Sequence, residues 1–87
     1  MPNWNLKLAP KAEKLLRWLP DKDLRLISRA LDAMMIDPFS GDDIVRLQNE
    51  RSEWRRRVGN YRIFFDVYTQ IHIVDVVEIG RRTSKTY

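Results

Sequence analysis

The segment that decides the fold runs from Trp54 to Val67 and reads Trp-Arg-Arg-Arg-Val-Gly-Asn-Tyr-Arg-Ile-Phe-Phe-Asp-Val. Its second half, Tyr61–Val67, has an apolar residue at every odd position, which is the period of a β-strand with one face in a core. Trp54–Val58 is predicted to be a second strand, because Gly59-Asn60 between the two is typical of a tight turn. The segment is therefore predicted to be a β-hairpin.

The sequence before this hairpin predicts a short strand and two helices. Trp4–Leu8 alternates apolar with polar residues, and Pro10 suits the first turn of a helix. An apolar stripe with the spacing i, i+3, i+4, i+7 follows at Ala12, Leu15, Leu16 and Leu19. Pro20 ends this helix, and Asp21 is expected to cap the next one. The second helix is expected to place Leu24, Ile27, Leu31 and Met34 or Met35 in the core. It ends at Asp37-Pro38, and the short connection between the helices predicts an antiparallel hairpin.

Two further strands are predicted, one on each side of the β-hairpin. Ile44–Leu47 precedes it, and Ile71–Ile79 follows as a β-branched run that is apolar on much of both faces, which indicates an interior strand. The predicted fold class is α+β: an N-terminal strand, a two-helix antiparallel hairpin, then a three- to four-stranded antiparallel sheet with the helices on one face. With 87 residues, the chain is expected to form a single domain over residues 1–87.

Composition excludes several classes of site. The absence of cysteine excludes disulfides and cysteine-ligated zinc. The three glycines are isolated from one another, so no phosphate-binding loop exists, and we expect neither a cofactor nor a metal. A lone histidine, His72, is more typical of a surface residue than of a general base. No apolar run approaches the roughly 20 residues that cross a bilayer. The N-terminus lacks a secretion signal, so a cytoplasmic protein without membrane contact is expected.

The positive charge is concentrated in the second half of the chain. The net charge is +4, yet Arg46–Arg62 alone carries six arginines and two glutamates, and the tail after Gly80 adds Arg81, Arg82 and Lys85 without an acid. The planar guanidinium group suits phosphate better than the ammonium group of lysine does. Clustered arginines therefore favour a polyanionic partner such as nucleic acid. A solvated charged face is the alternative interpretation.

Strand alternation divides the arginines between the two faces of the sheet. Arg55 and Arg57 point one way and Arg56 the other, while the turn brings Arg57 near Arg62. We expect Arg55, Arg57 and Arg62 to share the face away from the helices. Unpaired guanidinium groups repel one another, so this predicts a phosphate site, unless the alternative holds that Asp66, Glu78 or Glu53 neutralises them. Phe64 shares this face and is expected either to stack a base or to cover the sheet.

The hairpin sequence resembles the pattern of the RelE/ParE toxin superfamily, an aromatic residue and basic residues followed by R-V-G-[DN]-Y-R-[IV]-x-[FY]. The ending Ile79-Gly80-Arg81-Arg82 with Tyr87 resembles the family's I-G-x-R…Y, and Pro10–Leu16, Leu19-Pro20 and Asp37–Phe39 resemble its helix hairpin. The resemblance covers nearly the whole chain. It implies a microbial-ribonuclease-like fold and the toxin of a type II toxin–antitoxin system. The implied partner is a cognate antitoxin, through which any contact with DNA is indirect.

The RelE-like branch of the superfamily implies an activity and a set of site residues. It implies a ribosome-dependent, metal-independent endoribonuclease that cleaves mRNA and blocks translation, with the ribosome and mRNA as partners. Matching positions imply catalytic roles for Arg62, Arg82 and Tyr87. Arg55 and Arg57 stand where some members carry lysines, and the residues expected to bind RNA or phosphate are Arg55, Arg57, Arg81, Lys85 and Phe64.

The sequence departs from the family pattern at the proton acceptor. Val45 stands where some members have a glutamate, and Thr86 where others have a histidine. Arginine cannot act as the base because it does not lose its proton in proteins. The remaining candidates are Glu50, Glu53, Glu78 and Tyr87.

Two other functions remain open at this point. The missing proton acceptor favours a ParE-like inhibitor of DNA gyrase, whereas the ending Gly80-x-Arg82…Tyr87 argues against it. A degenerate, non-catalytic binding module is the second alternative. A general DNA-binding protein is disfavoured, because the basic residues lie on strands and in the tail rather than on a recognition helix.

Overall fold

A computed structural model describes residues 3–41, 43–48 and 52–81. These residues form, in chain order, β1 (Asn5–Leu8), α1 (Pro10–Trp18), α2 (Asp21–Ile36), β2 (Ile44–Arg46), β3 (Trp54–Val58), β4 (Tyr61–Tyr68) and β5 (Ile73–Arg81). The predicted α+β class is confirmed. Within the described ranges, no helix is both long and apolar enough to cross a membrane.

The five strands form one mixed sheet in the order β1-β5-β4-β3-β2. Strands β2 to β5 pair with one another in antiparallel fashion, as predicted. The N-terminal strand joins the same sheet by pairing in parallel with β5, so that Leu6 lies opposite Val74. The four strands after the helices agree with the three to four expected there, and β1 adds a fifth strand to the same sheet. Local sequence patterns do not identify β5 as the partner of β1, because the two strands lie at opposite ends of the chain.

The ends of the two helices follow from their prolines. Pro10 occupies the first helical position of α1, where its missing N–H is not needed. Leu19 is extended, with ψ of 142°, and ends this helix. The expected cap of α2 is corrected: Pro20 is the N-cap, without a side-chain hydrogen bond, and Asp21 lies in the first helical turn. A carboxylate in that turn still interacts favourably with the helix dipole.

Both helices pack on one face of the sheet and form a single core with it. The fully buried side chains at its centre include Met34, Phe65 and Val76. The buried cluster consists of Ala12, Ile27, Ala30, Leu31, Met34, Tyr61, Ile63, Phe65, Val74, Val76 and Ile79. The members on β4 are Tyr61, Ile63 and Phe65, at odd-numbered positions that the alternation assigns to the core. Neither helix packs on the opposite face of the sheet.

Two irregularities determine how the last strands are placed. Gly59 begins the β3–β4 turn with φ of +58°, a left-handed conformation that favours glycine at the first position of a type II′ turn. The pairing of β4 with β5 shifts by one residue, because Phe64 lies opposite Glu78 whereas Phe65 lies opposite Val76. Val77 is therefore the extra residue of a β-bulge. Strand β5 starts two residues later than predicted, at Ile73.

Candidate nucleic-acid interface

Three arginines lie together on the face of the sheet that the helices leave uncovered, as the alternation predicts. Arg57 lies directly opposite Arg62, and Arg55 lies opposite Phe64. We call Arg55, Arg57 and Arg62 the arginine face. Directly opposed residues of antiparallel strands have Cβ atoms only about 4.5–5.5 Å apart. The β3–β4 hairpin therefore holds two like charges next to each other.

The carboxylates in the described part of the chain do not neutralise the arginine face. The ion pairs found there are Lys11–Glu78 at 3.9 Å, Arg17–Glu13 at 3.3 Å and Arg46–Glu53 at 2.8 Å. The carboxylate of Asp66 accepts a hydrogen bond from the backbone N–H of Glu53 at 2.7 Å. Neutralisation by Asp66, Glu78 or Glu53 was the alternative to a phosphate site. None of the described carboxylates lies within 4.0 Å of the three guanidinium groups.

Arg55 has an unsatisfied donor. The residue is half-buried, and its Nε is shielded from solvent without a hydrogen-bond partner among the described residues. Leaving a donor buried and unpaired costs about 1–3 kcal/mol. Arg55 is therefore held at a cost to stability that no described residue offsets.

Phe64 lies on the same face, between a charged residue of β3 and a charged residue of β5. It pairs with Arg55 of β3 on one side and with Glu78 of β5 on the other. Only 6% of its surface is accessible. The ring therefore offers little area to a base in this arrangement, and base stacking on Phe64 stays a prediction.

Arg56 points to the helix side, as the alternation predicts, and anchors a loop there. Its guanidinium group donates a hydrogen bond to the carbonyl oxygen of Ser40. It also packs against Gly41, where an added Cβ would lie 2.7 Å from its Nη2. Burial lowers the pKa of Arg56, and the nearby charge of Asp37 partly opposes this. Arg56 is thus a structural residue of the loop that precedes β2.

Tyr61 fixes the hairpin end against α2, through a contact that the spacing of residues in the sequence does not predict. The residue is 3% exposed, and its hydroxyl donates to Oδ2 of Asp23 at 2.7 Å. This hydrogen bond, together with burial, raises the pKa of Tyr61. Because a buried tyrosine hydroxyl needs a partner, a tyrosine at a core position of the strand was the available signal. The contact holds the residue that immediately precedes Arg62.

The predicted tail residues separate into two groups. Arg81 lies opposite Tyr61 on the helix side of the sheet and not on the arginine face. The bulge at Val77 is the cause: the extra residue reverses the alternation of β5, so that Ile79 enters the core and Arg81 follows it to that side. Arg82, Lys85 and Tyr87 lie outside the described residues.

The candidate proton acceptors and ligands are placed as follows. Glu53 is held in its ion pair with Arg46, Glu78 lies near Lys11, and Glu50 is outside the described residues. His72 lies in the turn before β5, where its Nδ1 is 3.2 Å from the carbonyl oxygen of Asn3. Across the described ranges, histidine and acidic side chains form no cluster of three that is able to hold a metal ion.

Comparison with solved structures identifies the fold. The archaeal RelE of the RelE–RelB complex from Pyrococcus horikoshii superposes with a TM-score of 0.82 at 20% identity, over 95% of this chain and 99% of that one. The isolated Escherichia coli RelE toxin superposes with a TM-score of 0.77 at 17% identity, over 94% of this chain and 87% of that one. YoeB of the Staphylococcus aureus dimer superposes with a TM-score of 0.72 at 16% identity, over 93% of this chain and 99% of that one. The fold is that of RelE and YoeB toxins.

The family follows from the sequence match. The model of the ParE toxin of type II toxin–antitoxin systems, parDE, matches residues 5–85. The chain therefore belongs to the ParE toxin family of the RelE/ParE superfamily and is the toxin of a type II toxin–antitoxin system. No curated protein matches the sequence significantly.

Proposed function

We propose that this toxin is a ribosome-dependent, metal-independent endoribonuclease that cleaves mRNA. The observation that carries the proposal is the arginine face. Arg57 and Arg62 lie directly opposite each other, and no described carboxylate lies within 4.0 Å of either guanidinium group. A folded protein keeps such an arrangement at a cost to its stability, which a bound phosphate backbone removes.

The proposed reaction uses RNA's own nucleophile. The 2′-hydroxyl oxygen attacks the adjacent phosphorus, the bond from phosphorus to the 5′-oxygen breaks, and the departing 5′-oxygen takes up a proton. A 2′,3′-cyclic phosphate and a 5′-hydroxyl result, and negative charge gathers on the phosphate oxygens in the transition state. Arg62 stabilises this charge, because a cation placed where charge develops contributes more in the transition state than in the bound substrate. Arg55 and Arg57 bind the flanking phosphates. By the resemblance, Arg82 assists Arg62 and Tyr87 orients the 2′-hydroxyl or stacks on a base.

The proton from the 2′-hydroxyl needs an acceptor other than arginine. Glu53 is engaged by Arg46 at 2.8 Å, which makes it a poor candidate. Glu78 stays a candidate on the strand next to the arginine face, as do Glu50 and Tyr87 outside the described residues. Replacing Glu78 by Gln separates a chemical role from a binding role, because only the former changes the pH profile of cleavage.

The test is purified toxin incubated with ribosomes that carry a defined mRNA, with cleavage mapped by primer extension. We expect cleavage by the wild type. Removing one transition-state donor typically costs about 10²–10³-fold in rate, and we expect a loss of that size for Arg62→Ala. Arg17→Ala is the matched control, because Arg17 is exposed on α1 and pairs only with Glu13 among the described residues. Intact mRNA with folded wild-type protein would contradict the proposal.

Inhibition of DNA gyrase is the second candidate function, which the match to the ParE toxin model favours. A supercoiling assay with purified gyrase distinguishes the two. Inhibited supercoiling together with intact ribosome-bound mRNA would assign the toxin to this alternative. Growth arrest on induced expression is expected under both and excludes a non-catalytic module without toxicity.

A further inference from the structure

A second group of unpaired cations lies on the exposed side of α2. Lys22, Arg25 and Arg29 are exposed and follow the spacing i, i+3, i+7, which aligns them on one side of the helix. We call these three residues the α2 stripe. With Asp23 they line a shallow depression around Leu26, whose side chain is 40% exposed. No described carboxylate lies within 4.0 Å of the stripe's cationic groups.

The stripe is not explained by the composition of the helix, which has as many aspartates as cations. Asp23 accepts the hydrogen bond of Tyr61, and Asp21 lies in the first turn, where the helix dipole favours a carboxylate. A helix surface shaped only for solvation gains from pairs four residues apart, as Arg17 and Glu13 form on α1. On α2, Asp21 and Arg25 have this spacing and form no ion pair.

The stripe adjoins the end of the hairpin that carries the arginine face. A methyl group of Leu26 lies 2.9 Å from the position that a Cβ would take at Gly59, so α2 packs directly against the β3–β4 turn. That turn connects Arg57 to Arg62. At the same end, Arg81 lies exposed on the helix side of the sheet. The positive charge therefore continues from the arginine face around the hairpin end to α2.

We propose that the α2 stripe, together with Arg81, is a second binding site for RNA phosphates. It takes the backbone that continues beyond the segment held on the arginine face. The identification of the bound polyanion as RNA rests on the proposed function. Phosphate backbones are bound by cations and need no apolar anchor, whereas the centre of a protein interface is depleted in charge and rich in aromatic residues. The stripe has three cations and no aromatic residue.

The test compares two triple variants with the same change in net charge. One variant replaces Lys22, Arg25 and Arg29 by Gln, and the control replaces Lys11, Lys14 and Arg17 of α1 by Gln. Glutamine keeps the helix propensity of the residues that it replaces. Binding to a fluorescein-labelled single-stranded RNA of about 30 nucleotides is measured by anisotropy over a range of KCl concentrations, and circular dichroism confirms folding. This readout does not require catalysis.

The expected result follows from counterion release. Each phosphate contact with single-stranded nucleic acid contributes about 0.7 to the slope of log K against log salt, so losing three contacts lowers the slope by about 2. With equal affinities at 1 M salt, this difference in slope makes the α2 variant bind RNA about 100-fold more weakly than the wild type at 0.1 M salt. The α1 variant is expected to lose less than about threefold.

Each outcome has a defined meaning. Equal losses in the two variants would overturn the α2 site, even if the wild type cleaves mRNA on ribosomes. A selective loss in the α2 variant supports the site. If that loss occurs while ribosome-bound mRNA stays intact, the proposed cleavage fails and the second RNA site stands.

Discussion

The direct opposition of Arg57 and Arg62 makes a quantitative prediction about stability. Both side chains stand on the same face at one register position. Two unit charges about 6 Å apart in water repel by about 0.7 kcal/mol, which agrees with the range of about 0.2–1 kcal/mol for cross-strand pairs. Replacing either arginine by Gln removes this repulsion. Each single change is therefore expected to stabilise the isolated toxin while it weakens the binding of RNA.

The repulsion is isolated by a double-mutant cycle of Arg57→Gln and Arg62→Gln, with unfolding measured in urea at low salt. The cycle cancels changes in strand propensity and leaves the pairwise energy. For a domain of this size, about 0.7 kcal/mol corresponds to roughly 3–6 °C in Tm. At 1 M salt the Debye length falls to about 3 Å, so the coupling is expected to disappear.

Arg17→Gln serves as the control of opposite sign, because Arg17 is paired with Glu13 and its loss is not expected to stabilise the protein. The reasoning is refuted if the Arg57–Arg62 coupling is zero or attractive at low salt. A repulsive coupling that does not respond to salt would equally contradict an electrostatic origin.

The remaining predictions concern Tyr61 and Gly41. Tyr61→Phe is expected to lower the free energy of unfolding by about 1–2 kcal/mol, because the carboxylate of Asp23 loses its donor, whereas Tyr68→Phe on the exposed part of the same strand changes little. Since the pKa of Tyr61 is raised in the folded state, its stabilisation is complete below pH about 10 and is lost as the pH rises through the raised pKa. Tyr61→Phe removes this alkaline loss in urea titrations, and an unchanged profile would contradict the assignment. Gly41→Ala is expected to destabilise by about 1–2 kcal/mol, because φ is +106° at this residue. Gly80→Ala, with ordinary backbone geometry and 3.9 Å to the nearest side-chain atom, is the control and is expected to be neutral or stabilising by about 0.4–1 kcal/mol. Equal effects of the two alanines in urea unfolding would show that the backbone at Gly41 is not strained by a side chain.

Local periodicity was sufficient to predict the hairpin and the division of its arginines. Two-residue alternation is a property of the strand itself, so Arg56 was assigned to the helix side without knowledge of the rest of the fold. The same reasoning fails at Arg81. Its side depends on the bulge at Val77, and the bulge depends on how β5 meets β4.

Contacts between elements that lie far apart in the chain were likewise not predictable from the sequence. The hydrogen bond from Tyr61 to Asp23 joins β4 to α2, and the spacing within either element gives no sign of it. The parallel pairing of β1 with β5 is of the same kind. Both are set by tertiary packing, which selects among many pairings that local propensity permits.

The pairing of β1 with β5 has a consequence for how the toxin is made. Leu6 and Val74 lie at opposite ends of the chain, and closing the loop between them costs about 4 kcal/mol in chain entropy. The sheet gains its first strand only when its last strand is present. Val74 and Val76 of that strand also occupy the core, so a nascent chain that lacks β5 has neither a complete sheet nor a complete core. The domain therefore completes its fold only after β5 has been synthesised.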